Sequence, residues 1–150
     1  MFNFELRGGY VKSDYLDSIQ HAKRAYSRVL EPVCKQWELT QKELDILLFL
    51  YNNPRYNRAV DIVNLRGITK SHVSMSVSSL EEKKMLLCNA HPTDRRIVHL
   101  VLTDTGKRVA AYARQIQESF FETLYEGVDP EDLAVWNRVR DQISKNILKL

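Results

Sequence analysis

The chain has 150 residues, 44% of them hydrophobic, with 22 Lys and Arg against 19 Asp and Glu, five Gly, four Pro and two Cys. This composition excludes disorder, collagen and low-complexity sequence, and a chain of this length buries about 68–70% of its unfolded surface without help from disulfides or a structural metal. The longest apolar run, Ile46 to Tyr51, falls far short of the roughly 20 residues a bilayer crossing needs, and Met1-Phe-Asn-Phe-Glu5 is no signal peptide, so a cytoplasmic protein with no membrane segment is expected.

No repeat or linker divides the sequence, which reads as one domain over residues 1–150 with helices at both ends. From Ser13 the apolar residues Tyr15, Leu16, Ile19, Ala22, Tyr26, Val29, Leu30 and Val33 recur at helical spacing, predicting a helix over about 13–34 that Pro32 kinks or ends. Thr40-Gln-Lys-Glu43 has the form of a capping box ahead of the apolar stretch Leu44 to Tyr51, and that helix should stop before Asn52-Asn53-Pro54. A short helix follows over Ala59 to Leu65, closed by Gly67 at a left-handed turn position. Thr69 can cap the next helix, whose inward stripe is Val73, Ser76, Val77 and Leu80. Its other face, Lys70, Ser71, His72, Ser74, Met75, Ser78 and Ser79, is short, polar and nearly uncharged. Leu86 to His91 and Ile97 to Leu102 then read as a hairpin with the basic tip Pro92-Thr-Asp-Arg-Arg96. Thr103 caps a long helix carrying Val109, Tyr112, Ala113, Ile116, Phe120 and Leu124. Asp129-Pro130 opens a last one with Leu133, Trp136, Val139, Ile143, Ile147 and Leu150.

Charge is unevenly distributed. Between Pro54 and Arg108 ten bases face five acids, a net +5, while the remainder carries −2. A basic centre suggests an anionic partner, although a solvated lysine-rich surface would show the same excess. Three short helices followed by a hairpin is the order of a winged helix-turn-helix, and the basic excess lies on that unit. Small hydroxyl side chains let a helix approach base edges closely, and Met75 can touch a thymine methyl. The diarginine tip can reach a neighbouring minor groove. Asp94 would repel phosphate if unpaired, so it is expected to pair with Arg96 and hold that fork in position.

The run Asp94-Arg95-Arg96-Ile-Val-His-Leu-Val-Leu102-Thr103 resembles the wing signature of the multiple-antibiotic-resistance repressor (MarR) family of bacterial transcription regulators: Asp, any residue, Arg, five residues, Leu-Thr. Thr105-Gly106-Lys107 continues the family's entry into the following helix, and Leu39-Thr40 and Leu80-Glu81-Glu82-Lys83 are similar to it too. The resemblance covers about Leu30 to Lys107 by motif. It departs at Lys84-Met85, where the family often has glycine, and near Met75, where many members carry arginine or another long polar residue. The resemblance implies a mainly α fold with a small β-hairpin wing, its winged helix-turn-helix core over about 39–103 and dimerisation helices over about 13–34 and 104–150. It also implies a homodimeric repressor on a pseudo-palindromic site in double-stranded DNA. The implied contacts are Ser71, His72, Ser74 and Met75 in the major groove and Arg95 and Arg96 in the minor groove, with Asp94 positioning the wing; Thr69, Lys70 and Ser78 of the same helix are expected to bind DNA as well. A small aromatic effector is a further implied partner, for which no residue is named. The large apolar stripes at both ends of the chain independently suggest an interface.

Other chemistry is poorly represented. No nucleophile elbow, phosphate-cradling glycine loop or His-Glu-x-x-His spacing occurs, so no catalytic residue and no cofactor is expected. The histidines at 21, 72, 91 and 99 lack metal-ligand spacing, so no metal is expected either. Cys34 beside Lys35 could be a redox thiol, since a cation depresses a thiol's pKa, or simply a buried small hydrophobe; Cys88 reads as packing. Tyr26, Trp37, Tyr112 and Phe120 could line an effector pocket or form core. The competing reading from another class is a winged-helix interaction module that docks on an acidic protein partner.

Overall fold

The computed structural model describes residues 11–150, with side chains from Tyr15 onward; the opening Met1 to Glu5 lies outside them. Its elements are α1 (Val11–Gln36), α2 (Gln41–Asn52), α3 (Ala59–Arg66), α4 (Lys70–Glu82), β1 (Leu86–Ala90), β2 (Val98–Leu102), α5 (Asp104–Leu124) and α6 (Pro130–Ile147). The fold is thus mainly α with one antiparallel hairpin, in which Leu86 faces Leu102 and Ala90 faces Val98. The chain falls into two compact units, one up to Glu118 and one over Ser119–Leu150.

The first unit is built around α2. Leu44, Ile46, Leu47, Leu48, Phe49 and Leu50 are all buried, so the helix is covered nearly all round, as its unbroken apolar run requires. Leu30 and Val33 of α1, Ile62 of α3, Val73 and Leu80 of α4, Leu86, Leu100 and Leu102 of the hairpin, and Val109, Ala110 and Ala113 of α5 close on it. The capping box is present: Glu43 N–H donates to Thr40 Oγ1 at 3.2 Å and Thr40 N–H donates to Glu43 Oε2 at 2.7 Å. Gly67 closes α3 at φ 63°, in the left-handed region where a side chain would be strained.

Two boundaries differ from expectation. Pro32 neither ends α1 nor sets its limit, because it lies on the exposed side, where water can satisfy the carbonyl its missing N–H leaves open. The helix runs on to Gln36, and Glu38, with φ 52°, turns the chain so that Leu39 N–H donates to Cys34 O at 2.8 Å. α2 also runs through Asn52, with Asn53 N–H donating to Phe49 O.

In the second unit Asp129 caps α6 by accepting from Glu131 N–H, with Pro130 at the first helical position. α6 has no fully buried residue. Trp136, Val139 and Ile147 of its stripe are exposed, and Leu133 and Ile143 are half-buried.

Candidate nucleic-acid interface

α4 is amphipathic in an unusual way. Its inner face buries Val73, Ser76 and Leu80, while Lys70, Ser71, His72, Ser74, Met75 and Ser78 are exposed. Met75 is 69% exposed, an apolar tip standing among hydroxyls with no role in the core. Thr69 acts first as a cap. Its Oγ1 accepts from His72 N–H at 3.4 Å and lies 2.9 Å from His72 Nδ1 and 3.3 Å from Ser71 Oγ, so one hydroxyl organises the helix N-terminus. Ser79 does not belong to the exposed polar face; it is half-buried and hydrogen-bonds the Glu43 side chain.

The wing tip also differs from expectation. Asp94 Oδ1 accepts from the backbone N–H of Arg96 at 3.0 Å, and Asp94 O accepts from Ile97 N–H at 3.0 Å. Asp94 therefore shapes the turn through the backbone, as aspartate does when its side chain reaches the N–H two residues on, and does not pair with the Arg96 guanidinium. Among the described residues neither Arg95 nor Arg96 joins an ion pair, and both are exposed.

Three sets of contacts position these surfaces, and of them only the Thr103 cap was expected from the sequence. Lys83, just past α4, reaches back to α2: its Nζ donates to Glu43 Oε2 at 2.9 Å and to Glu38 O at 2.7 Å. Burial alone would push the Glu43 carboxyl up, but hydrogen bonds from Ser79, the Thr40 amide and Lys83 outweigh it and hold the pKa below the ordinary value. Asn57 anchors β2, accepting from Leu100 N–H at 2.7 Å through its backbone and meeting His99 Nδ1 at 2.8 Å through its side chain. At the junction of α4, the hairpin and α5, Thr103 Oγ1 donates to Lys84 O at 2.7 Å and accepts from Gly106 N–H at 3.1 Å. The Thr40-x-x-Glu43 spacing was a usable signal for the first contact, but its partner lies 40 residues away.

The turn after α4, where glycine was expected from the resemblance, places Lys84 at φ 57°. The backbone keeps the glycine-favouring conformation although the residue is lysine.

Elsewhere the geometry removes candidates. Burial pushes the Cys34 thiol up, and the nearby Asp45, Glu43 and Glu31 carboxylates add to it, the opposite of a sensor thiol. Lys35, expected to depress it, pairs with Glu31 at 2.7 Å. Cys88 is likewise pushed up, by burial and then by Glu81. The Trp37 and Tyr112 rings meet at a tilt, their centroids 5.6 Å apart, and the Tyr26 hydroxyl accepts from Gln117 Nε2 at 2.7 Å, while Phe120 belongs to the second unit and meets Phe121. Among the described residues no group of three His, Cys, Asp or Glu is placed to hold a metal, and no helix is long and apolar enough to cross a membrane.

No family model matches the chain. It is 25% identical over 109 residues to the HTH-type transcriptional regulator YdgJ of Bacillus subtilis, a match covering 73% of this chain and 66%, just under two thirds, of that relative. Among solved structures it is similar to a MarR-family regulator of Listeria monocytogenes complexed with a 26mer DNA, with TM-score 0.80, 15% identity, and 88% of this chain and 87% of that one covered. It is also similar to BpsR of Bordetella bronchiseptica, whose DNA binding is regulated by 6-hydroxynicotinic acid, with TM-score 0.70, 20% identity, and coverage of 91% and 98%. The resemblance carried by the wing motif is borne out at the level of architecture: the chain has the winged helix-turn-helix fold of the MarR-family transcriptional regulators.

Proposed function

We propose that the chain is a sequence-specific, DNA-binding transcription regulator that acts as a homodimeric, signal-responsive repressor on a pseudo-palindromic operator. One observation carries the reading. A serine-rich helix face with an exposed Met75 and a tip with two exposed arginines, neither in an ion pair among the described residues, are clamped into a single unit. In this reading Ser71, His72, Ser74, Met75 and Ser78 read base edges in the major groove, Lys70 meets phosphate, Thr69 sets the helix entry, and Arg95 and Arg96 enter the minor groove. The reading is of a binder rather than an enzyme, as the solved structures it resembles are of transcriptional regulators.

The domain reading is likewise a proposal: a core over about 39–103 with α1, α5 and α6 as dimerisation helices. The apolar residues α6 leaves exposed support it. BpsR responds to a small aromatic acid, and a small-molecule signal is the corresponding proposal here. The test is a mobility-shift titration against the DNA flanking the chain's own gene, run beside sedimentation of the free protein. A dimer with saturable, sequence-dependent binding is expected. A monomer, or affinity equal on scrambled duplexes, would refute the corresponding half of the proposal.

A further inference from the structure

Beside the exposed face of α4 runs a groove of about 480 Å³, walled by α3, α4 and the hairpin. Its α4 side is the stripe 70, 73, 74, 77, 78 and 81, so it follows the helix from its first turn to its last. The spacing from Lys70 to Glu81 is about 16 Å at 1.5 Å per residue. The walls are aliphatic. Val63 and Val77 are half-buried, Leu100 is buried, and Val60 and Val98 remain 48% and 38% exposed along the lips; no aromatic ring lines the groove. The two ends carry opposite charge. Lys70, at the positive end of the α4 dipole, joins no ion pair among the described residues, whereas Glu81 Oε1 already accepts from Cys88 N–H at 3.1 Å.

We propose that this groove binds a medium-chain aliphatic monocarboxylate. The carboxylate pairs with Lys70 and the acyl chain lies along the valines. An elongated aliphatic wall suits a flexible methylene chain better than a flat ring, and the Glu81 end rejects a second carboxylate. The consequence rests on the DNA-binding reading. A bound acid takes Lys70 from phosphate and seats its chain against Ser74 and Ser78, so acid and DNA compete, each weakening the other by the same factor.

The experiment has two arms. In the first, without DNA, the full chain is titrated calorimetrically with hexanoate, octanoate, decanoate and decanol. Affinity should rise about two- to fourfold per added methylene, as expected for burying apolar chain. Decanoate should bind more tightly than decanol. Lys70→Gln, on an exposed site, should weaken decanoate about tenfold and leave decanol unchanged, since it removes only a charge-assisted contact. Val98→Phe, which fills the groove from the hairpin lip, should abolish binding of both, and decanoate should slow alkylation of Cys88 but not of Cys34. No binding, affinity independent of chain length, or binding unaltered in both variants would overturn the site. Decanol matching decanoate would overturn the carboxylate assignment. In the second arm decanoate should release operator DNA from the unmodified chain and not from Val98→Phe. Unchanged DNA affinity would overturn the competition, and a chain that binds no DNA would overturn the functional reading but not the groove.

Discussion

Replacing Gly106 with alanine should destabilise the first unit by about 1–2 kcal/mol, a figure that follows from the junction it occupies. A Cβ at this position would overlap the Met85 carbonyl oxygen and lie 3.0 Å from the carbonyl carbon, both backbone atoms that cannot rotate away. Met85 cannot easily withdraw. Its N–H donates to Leu80 O at 2.9 Å, its carbonyl accepts from Thr103 N–H at 3.1 Å, and its side chain is buried. Relief therefore requires overpacking strain of about 1–3 kcal/mol, loss of a buried backbone hydrogen bond at about 1–3 kcal/mol, or part of each. Against this, alanine at a helical position gains up to about 1 kcal/mol over glycine. Urea denaturation should show the midpoint falling with the m-value unchanged. A loss below about 0.5 kcal/mol would mean that the junction between α4, the hairpin and α5 is slack, and the clamp inferred there would be wrong.

Lys84→Gly should instead stabilise the chain by about 0.5–1 kcal/mol, because relief of the left-handed strain exceeds the extra unfolded-state freedom of glycine; a thermal melt showing a loss would refute it. Arg96→Ala should weaken operator and scrambled DNA alike and reduce the log–log salt slope of a dimer by about one to two, whereas Met75→Ala should leave the slope alone and cost about 1 kcal/mol only on a thymine-bearing operator. Titrations at several salt concentrations separate the two, and an unchanged slope in Arg96→Ala would remove the wing from DNA. Glu43, with its folded pKa below the ordinary 4.5, contributes stability that is present above that value and lost as pH falls through the folded pKa. Glu43→Gln should therefore cost about 1–3 kcal/mol at neutral pH and progressively less in acid, where both chains carry the opposing effect of Asp45, whose pKa burial raises; a cost independent of pH in denaturation curves would refute the ion pair. Because Cys34 is raised, peroxide should not release DNA through it, and Cys34→Ser should behave as the parent; a response abolished by that change would make Cys34 the switch.

Features closed within a few residues were legible from the residues themselves. The Thr40–Glu43 box, the Gly67 turn and the Thr103 and Asp129 caps each depend on a partner at most four positions away, which local spacing reveals, and the hairpin showed in its two β-rich runs flanking a short turn. The exposed face of α4 was legible by periodicity, except for Ser79, whose orientation depends on Glu43. What spacing could not show was tertiary. Nothing near Glu43 points to Lys83, and nothing near Thr105-Gly106-Lys107 points to Met85. At Asp94 the sign of the adjacent charges favoured a guanidinium partner, yet the nearer backbone N–H prevailed because it requires no ordering of a long arginine side chain.

In the proposed DNA-binding reading, the wing tip's division of labour bears on how the recognised sequence can change. The turn is held by an aspartate and two backbone amides, so its shape does not depend on which side chains follow. The exposed side chains at positions 95 and 96 take no part in holding the turn, so lysine, glutamine or serine there should leave the hairpin as it is and alter only the groups it presents. On that reading, recognition can drift one substitution at a time while the turn that presents it stays the same.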